Sequence, residues 1–328
     1  MRVKRRAKNP VRRSRAFYPI VKKSTVINEP AVIVIAGPTA VGKTAAAVHL
    51  AQQLSTSIIS ADSRQCFKEL NIGVAKPSPR ELQAVHHYFI NSHSVREEVT
   101  AALFEELALQ WTQDIFREQI AAGKPPVAVV VGGTGLYIKA FTEGLDTIPS
   151  IDPAVRRQIQ QMYETAGLEW LQAQIRESDP EFFRAGEIQN PQRLMRALEV
   201  KRSTGLSILA FRTQKKKDRP FKIEKIGLTL PKEVLHDRIG RRVDIMMEEG
   251  LLEEVKSLVP FRNYNALQTV GYTELFDHLE GKLSLDEAVA QIKMNTRRYA
   301  KRQLTWFRKD PSVRWVDAGE DPDLAGIW

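Results

Sequence analysis

The sequence predicts an α/β protein: a P-loop, doubly wound parallel sheet with a helical insertion domain and C-terminal helices. Three observations predict this class. Residues 31–36, AVIVIA, form an apolar, β-branched run that is typical of a strand buried in a parallel sheet. A glycine-rich turn and a helix-like stretch follow it directly. The succession of strand, glycine turn and helix then recurs, which is the pattern of a doubly wound sheet.

The remaining elements follow from local patterns. Apolar runs predict three further strands, at residues 57–61, 127–131 and 221–230. Helical patterns predict three helices in the α/β part, at residues 44–54, 231–259 and 285–309. Between about 151 and 217 the chain becomes helix-rich and charged, and it ends in the run Lys215-Lys216-Lys217. This stretch is interpreted as a helical insertion into the α/β domain.

The predicted organisation has four parts. They are a basic N-terminal tail (1–30), the first part of the P-loop core (31–150), the helical insertion (151–220), and the return to the core with the C-terminal helices (221–328). The tail is predicted to be disordered, or to lie upstream of the true start. Two other interpretations stay open, an electrostatic arm for polyanions and an organellar transit peptide.

Composition excludes several classes of protein. No apolar run approaches the roughly 20 residues that span a bilayer, so no membrane partner is expected. The single cysteine, Cys66, excludes an internal disulfide or Cys-based zinc site and fits a reducing compartment. The net charge of +10 is concentrated in the tail, because residues 1–30 carry ten Lys or Arg against Glu29 alone. A nucleic-acid surface in the body therefore requires local segregation of charge.

The strongest motif follows the first predicted strand. It matches G-x-x-x-x-G-K-[ST] and consists of Gly37, Pro38, Thr39, Ala40, Val41, Gly42, Lys43 and Thr44. Its backbone N–H groups and the following helix N-terminus favour phosphate oxygens. Lys43 would neutralise the phosphates, and the Thr44 hydroxyl would hold Mg²⁺. The motif predicts a bound phosphorylated small molecule, with ATP as the default occupant, and does not by itself identify the reaction.

Two polar residues are predicted to join this site. Asp62 follows the second strand, at the sheet edge where open α/β folds bind ligands, and there a carboxylate can take a proton or orient Mg²⁺. A helix-capping Asp is the structural alternative. Thr134, in the turn after the third strand, faces the same edge, and a turn or capping threonine is its alternative.

The last predicted helix separates charge from apolar side chains. At 100° per residue, one arc of about 140° contains a cationic set: Arg297, Arg298, Lys301, Arg302, Arg308 and Lys309. The opposite side carries an apolar set: Tyr299, Ala300, Leu304, Trp306 and Phe307. A cationic, acid-free face suits a polyphosphate backbone. A solvated helix face and contact with a membrane surface are the alternatives.

Other candidates carry weaker signals. Arg193 and Arg196 are three residues apart in the predicted insertion and share a helix face, as surface pairs often do. His86 and His87 cannot both face one metal ion on a regular helix, and the six histidines show no metal-ligand spacing. These two histidines receive no assignment.

With these motifs in place, residues 33 to about 310 resemble the tRNA dimethylallyltransferase family, also called isopentenyl-diphosphate:tRNA isopentenyltransferase. The matching blocks occur in the family's order. They are GPTAVGKT (37–44), SADSRQ (60–65), AKP (75–77), GGTGLY (132–137), QRLMRALEV (192–200), RVDIMMEEGLLEEV (242–255), LQTVGY (267–272) and TRRYAKRQLTWFR (296–308). The last block is the most specific.

The resemblance implies an activity and a set of roles. Members of the family transfer a dimethylallyl group from dimethylallyl diphosphate to N6 of adenosine 37, next to the tRNA anticodon. By resemblance, Asp62 would be the base on the N6 amine, Thr134 would contact the diphosphate or the adenine, and Lys43 and Thr44 would hold the diphosphate with Mg²⁺. The contacts to the anticodon stem-loop are expected at Asp62, Ser63, Arg64, Gln65, Thr134, Arg156, Gln192, Arg193, Leu194, Met195, Arg196, Gln268, Gly271, Tyr272, Thr296, Arg297, Arg298, Lys301, Arg302 and Gln303.

The sequence also departs from the family pattern. Val74 stands where the family usually has Thr, Phe67 replaces a usual Tyr, and residues 87–109 match loosely. The C-terminal zinc finger of eukaryotic relatives is absent, so we expect a bacterial, cytoplasmic enzyme. We also expect it to be a monomer. Two alternative activities stay open at this level: a P-loop kinase of a small metabolite and an adenylate isopentenyltransferase. Neither would need the large insertion or the basic helix.

Overall fold

The structure is a computed structural model that describes residues 29–213 and 215–319. The predicted basic tail therefore lies almost wholly outside the described residues. A six-stranded, entirely parallel sheet forms the centre, and its spatial order is β3-β2-β4-β1-β5-β6. The strands are β1 Ala31–Ala36, β2 Ile58–Ser60, β3 His87–Tyr88, β4 Val127–Gly132, β5 Lys222–Thr229 and β6 Val313–Asp317. The predicted α/β class with a parallel sheet is confirmed.

Eleven helices are present among the described residues. They are α1 Lys43–Leu54, α2 Pro79–Ala84, α3 Ala101–Ala121, α4 Gly135–Glu143, α5 Pro153–Ser178, α6 Pro180–Ala185, α7 Pro191–Thr204, α8 Lys232–Glu248, α9 Leu251–Ser257, α10 Tyr272–Leu279 and α11 Leu285–Phe307. Over the same part of the chain, we find no helix with the length and apolar character needed to cross a bilayer.

The sheet is covered on both faces, as its apolar strands require. Along β1, Ile33 and Ile35 face a core that contains α1, whereas Val32 and Val34 face the opposite core that contains α3 and α10. All four side chains are fully buried. This alternation is the period of two expected of a strand, with both faces apolar because both are packed.

The predicted insertion has an apolar core of its own. Its helices, α5 to α7, pack around buried residues that include Leu171, Ile175, Phe182 and Leu198. The two chain segments that enter and leave it lie side by side, because the backbone N–H of Lys217 donates to the carbonyl oxygen of Glu143 (2.8 Å). A local hydrophobic core is what allows such an insertion to keep its shape away from the main sheet.

Several boundaries differ from the sequence prediction. The helix predicted over 231–259 is two helices, α8 and α9, because the chain turns at Gly250 with φ +96°. Strands β3 and β6 and helices α2, α3, α4 and α10 had no counterpart in the prediction. β3 has only two residues and β6 has two charged residues among its five, so neither shows the continuous apolar run of a central parallel strand.

Candidate active site

The P-loop conformation depends on residues without a bulky Cβ. Gly37 has φ +147°, and a Cβ there would lie 2.7 Å from the carbonyl oxygen of Leu228 on the neighbouring strand. Gly42 has φ +102° and precedes the first residue of α1. Ala40 also adopts a positive φ, of 64°. The glycines therefore allow the loop to fold tightly between β1 and α1, which brings backbone N–H groups together at the helix N-terminus.

Two cations lie at this loop. Lys43 Nζ donates to the carbonyl oxygen of Pro38 (2.7 Å). Burial lowers the pKa of Lys43 from 10.5 to about 7, Asp62 opposes this shift, and Arg242 adds to it. Arg242, on α8, donates to the Thr39 hydroxyl (3.4 Å), and its pKa is also lowered by burial. Two partly desolvated cations side by side favour a multiply charged anion between them.

Asp62 lies where the sequence predicts, directly after β2. Its Oδ1 accepts hydrogen bonds from the backbone N–H groups of Arg64 (2.9 Å) and Gln65 (3.3 Å). This is the turn-capping role that was its structural alternative. Both bonds use Oδ1, however, and none of the described residues donates to Oδ2. Asp62 also contributes electrostatically at Lys43 and at Tyr299. A capping role and a role at the site are therefore compatible.

Thr134 lies at the same sheet edge as Asp62 and contacts Ser63, the residue after Asp62. Its Oγ1 accepts from the backbone N–H of Ser63 (3.0 Å). Thr134 precedes α4, but its side chain does not cap that helix. It also shares a hydrogen bond with the hydroxyl of Tyr299 on α11, whose pKa burial raises to about 12. Ser63, Thr134 and Tyr299 thus connect the carboxyl ends of β2 and β4 with α11.

Gln303 joins the same elements through backbone contacts. Its Oε1 accepts from the N–H of Thr39 (2.8 Å), and its Nε2 donates to the carbonyl oxygen of Gly133 (2.9 Å). The residue is only 6% exposed. Both ends of the Gln303 amide are therefore used inside the protein at the edge of the smaller cavity, and its contact with tRNA stays a prediction.

Two cavities meet at Asp62. The smaller has a volume of about 220 Å³ and is lined by the P-loop together with Glu81 and His87. The larger has a volume of about 500 Å³ and lies between α8, α11 and the loop that precedes α10. Both are lined by the same six residues: Thr39, Asp62, Val74, Ala75, Arg242 and Tyr299. A molecule in the smaller cavity, here called the phosphate cavity, would therefore lie next to one in the larger cavity, and Asp62 is among the residues that border both.

The segment 71–75 passes along both cavities and is held from behind by Glu254. This carboxylate accepts from the N–H groups of Ile72 (2.7 Å) and Gly73 (3.2 Å) and from the Tyr272 hydroxyl (2.6 Å). Burial, followed by Glu254, raises the pKa of Tyr272, so its hydroxyl remains a donor. A Cβ on Gly73 would lie 2.6 Å from the Tyr272 ring. Close packing therefore requires glycine here.

Three further residues that the sequence predicts to contact tRNA have buried side chains. Tyr272 is fully buried behind segment 71–75, and its contact with tRNA stays a prediction that this burial disfavours. Leu194 and Met195 lie in the core of the insertion, at 0% and 8% exposure. Their motifs also contain exposed residues, namely Gln268 in the first case and Gln192 and Arg193 in the second. A motif match extends over consecutive residues, whereas on a helix only some of them can face a partner.

The other residues predicted to contact tRNA fall into three groups. One group lines the larger cavity: Asp62, Ser63, Arg64, Gln268, Gly271, Thr296 and Arg302. A second group is exposed on α11 beyond the cavity lining: Arg297, Arg298 and Lys301. A third lies on the insertion and lines neither cavity: Arg156, Gln192, Arg193 and Arg196. Gln65 lines the smaller cavity, and its amide donates to the carbonyl oxygen of Ala75 (2.9 Å).

The insertion arginines are paired with acids. Arg156 and Arg196 both contact the carboxylate of Glu199 (3.5 and 3.2 Å), which is 7% exposed. Arg193 forms an ion pair with Glu187. These cations remain partly exposed, so they can still present positive charge to a partner while they hold the helices together.

Sequence reasoning missed three residues at the site. Arg242 lies inside a matching block but received no role, and its signal was only its position in that block. Tyr299 was placed on the apolar side of α11, whereas the structure places it at the junction of the two cavities. His87 was left unassigned, and it is a strand residue whose ring lines the phosphate cavity.

His87 is unusual because it is buried with an unused ring nitrogen. Its Nδ1 lies 2.8 Å from the carbonyl oxygen of Val85, which can only accept, so Nδ1 carries the proton. Nε2 is then an acceptor, and it has no partner among the described residues. The ring is 9% exposed, and burial lowers its pKa, which keeps it neutral.

These features define a P-loop enzyme of the α/β class. Its phosphate cavity adjoins a second, larger cavity, and Asp62 is among the residues that line both. The family model for IPP transferase matches residues 65–310, about three quarters of the chain. This protein belongs to the IPP transferase family.

Individual relatives agree with this assignment. A tRNA dimethylallyltransferase of Cytophaga hutchinsonii is 47% identical over 293 residues, which cover 89% of this chain and 94% of the relative. A crystal structure of a tRNA isopentenylpyrophosphate transferase from Bacillus halodurans has a TM-score of 0.65 at 36% identity and covers 91% and 94% of the two chains. A eukaryotic dimethylallyltransferase acting on tRNA has a TM-score of 0.70 at 27% identity, over 90% of this chain and 75% of that one.

Proposed function

We propose that this protein transfers a dimethylallyl group from dimethylallyl diphosphate to N6 of adenosine 37 in the anticodon loop of tRNA. Within its family the chain is a tRNA dimethylallyltransferase, and neither a metabolite kinase nor an adenylate isopentenyltransferase. The observation that carries the finer proposal is the meeting of the two cavities at Asp62. The smaller cavity fits a diphosphate. The larger cavity is large enough for an adenine whose N6 atom would lie where the two cavities adjoin.

The diphosphate would lie against the P-loop. Its oxygens would accept from the loop N–H groups and from Lys43 and Arg242, which both line the phosphate cavity. The pKa of about 7 means that Lys43 gains its proton readily when an anion approaches. In the reaction the diphosphate is the leaving group, and these donors stabilise its developing charge. No phosphoryl group is transferred.

The small cavity also suits a magnesium ion held together with the diphosphate. Thr44 and the carboxylates of Asp62 and Glu81 line it, and oxygen ligands are what Mg²⁺ prefers. Among the described residues no cluster of His, Cys, Asp and Glu could hold a metal alone, so substrate oxygens would complete the set. When bound, the ion would neutralise charge on the diphosphate.

Asp62 would act on the amine. An exocyclic amine is a poor nucleophile, so a base that takes its proton as the new bond forms lowers the barrier. The N6–C1 bond forms, the bond between C1 and the diphosphate oxygen breaks, and the proton passes from N6 to Asp62. The two backbone donors on Oδ1 fix the carboxylate while Oδ2 receives the proton.

Thr134 and Tyr299 would position the acceptor. Their shared hydrogen bond lies beside Ser63, at the boundary of the larger cavity. Because Tyr299 stays protonated well above neutral pH, it presents a neutral hydroxyl and adds no negative charge near Asp62. Thr134 is thereby held at a fixed distance from the Asp62 turn.

The tRNA would approach the rim of the larger cavity. Arg64, Gln268 and Arg302 line it, and the exposed cations of α11 lie beside it on the same helix. Adenine must leave its stack to enter, and loop bases flip at low cost. The insertion arginines would contact the anticodon stem from the side. A monomeric state and a cytoplasmic location stay predictions.

The proposal is tested by incubating the purified protein with labelled dimethylallyl diphosphate and either unmodified tRNA or AMP. We expect label in tRNA alone, and no label in a tRNA in which adenosine 37 is replaced by guanosine. Label in AMP, or equal labelling of both tRNAs, would contradict the proposed acceptor.

A further inference from the structure

The lining of the larger cavity contains apolar residues from two helices. Val243 and Met246 of α8 and Ile292 of α11, here called the apolar wall, line it together with many polar and charged residues, and the two helices contact each other. Val243 and Ile292 are 1% and 2% exposed and belong to the main core, whereas Met246 is half-buried and packs against that core. The wall is therefore fixed from behind, with a flexible side chain at its surface.

Two helices set the position of this wall. The Lys293 ammonium pairs with Asp244 (2.5 Å), and a Cβ on Gly240 would lie 3.9 Å from the Arg297 guanidinium. The residue numbers rise on one helix as they fall on the other, so α8 and α11 run antiparallel. In this register Met246 lies opposite Ile292, at one end of the cleft between the helices.

The distance from the phosphate cavity to the wall can be measured along α8. Arg242 lines both cavities and contacts the P-loop, whereas Met246, four residues later, lines only the larger one. Four residues advance a helix by about 6 Å. A five-carbon isoprenoid extends about 4 Å beyond its reacting carbon, as three carbon–carbon bonds of about 1.5 Å allow. A second isoprene unit would reach past Met246.

We propose that Met246, backed by Ile292, closes an apolar subsite for the isoprenoid chain and so restricts the transferred group to five carbons. This inference rests on the proposed function and names its specificity-determining residue. The polar part of the cavity is left for the nucleotide. Removing the Met246 side chain would extend the subsite by the space that a longer isoprenoid needs.

The test compares transfer of dimethylallyl and geranyl groups from their diphosphates to unmodified tRNA by the full-length protein. Met246→Ala is expected to raise the geranyl-to-dimethylallyl ratio of kcat/KM at least tenfold, and Ile292→Ala to raise it less. Met246→Leu conserves volume and should keep the wild-type ratio. Ile245→Ala is the matched control, because Ile245 is the preceding residue and is 50% exposed.

If a variant fails to turn over, calorimetry of the two diphosphates gives the ratio of their affinities, and Met246→Ala is expected to shift it towards the geranyl compound. An unchanged ratio in both Met246→Ala and Ile292→Ala, with dimethylallyl transfer intact, would overturn the inference and leave the proposed function standing. A wild-type protein that transfers neither group to tRNA would instead contradict the proposed function.

Discussion

Asp62 combines two tasks in one carboxylate. Oδ1 holds the turn after β2 through two backbone N–H groups, and Oδ2 is left for the amine. The two tasks can be separated by substitution, because Asn keeps an oxygen that accepts hydrogen bonds but loses the basicity. Ala removes both.

We expect Asp62→Asn to lower kcat by about 10²- to 10⁴-fold while tRNA affinity changes little. The measurement is single-turnover transfer together with filter binding of tRNA. Asp62→Ala should be equally inactive and should also have a lower Tm, since the turn loses its cap. Activity near the wild-type level in Asp62→Asn would exclude Asp62 as the base.

Lys43 makes anion binding depend on pH. Its pKa is about 7 in the protein without an anion, and a bound diphosphate raises it. Diphosphate binding therefore takes up a proton when the pH exceeds about 7, and affinity falls as pH rises above that value. Below pH 7 Lys43 is already charged, and this contribution to the pH dependence disappears.

The measurement is titration calorimetry of inorganic diphosphate between pH 6 and 9, in buffers of different ionisation enthalpy. Diphosphate itself titrates in this range, so the relevant quantity is the difference between wild type and Lys43→Met. Lys124→Met serves as the control, because Lys124 is exposed at the opposite edge of the sheet. Equal proton uptake in wild type and Lys43→Met would contradict the assignment.

At the scale of elements, the site depends on segment 71–75, which contains only a single 3-10 turn at Ile72–Val74. Val74 and Ala75 line both cavities. The backbone N–H groups of residues 71–73 donate to Glu254 at the start of α9. Gln in place of Glu keeps the size but replaces one acceptor oxygen by a donor. At least one of the N–H groups or the Tyr272 hydroxyl then loses its partner.

We expect Glu254→Gln to reduce the free energy of unfolding by about 1–3 kcal/mol and to raise KM for both substrates. Thermal unfolding and steady-state kinetics measure the two effects. Glu253→Gln is the matched control, because the adjacent side chain is exposed and pairs only with Lys256 on the surface. Similar losses in the two variants would show that Glu254 has no special role in holding segment 71–75.

At the scale of the whole molecule, charge is distributed unevenly. The body beyond residue 30 is nearly neutral, yet α11 exposes Arg297, Arg298 and Lys301 next to the larger cavity. Arg302 differs from these three because it lines the cavity itself. A test of the electrostatic surface should therefore leave Arg302 unchanged.

Replacing Arg297, Arg298 and Lys301 by Gln should weaken tRNA binding about tenfold or more at low salt and reduce its salt slope by up to about 3. Binding is measured across a salt series. A triple variant of Arg117, Lys124 and Lys222, which are exposed near the amino ends of the strands, removes the same charge elsewhere. If both triple variants lower the slope equally, the α11 surface is not the specific contact.

Local patterns were sufficient for much of this protein. The apolar runs determined the central strands, and glycine spacing determined the P-loop with Lys43 and Thr44, because each depends on a few consecutive residues. The position of Asp62 and Thr134 at one sheet edge also followed, since the carboxyl ends of parallel strands share an edge. The family was identifiable from ordered motifs.

Only the tertiary structure decided which motif residues face the substrate. Tyr272, Leu194 and Met195 lie in matching blocks but are buried away from both cavities. Arg242, Tyr299 and His87, in contrast, line the cavities from distant parts of the chain. The division has a physical reason. Periodicity tells which residues of one helix share a face, but what that face meets depends on contacts between elements far apart in sequence.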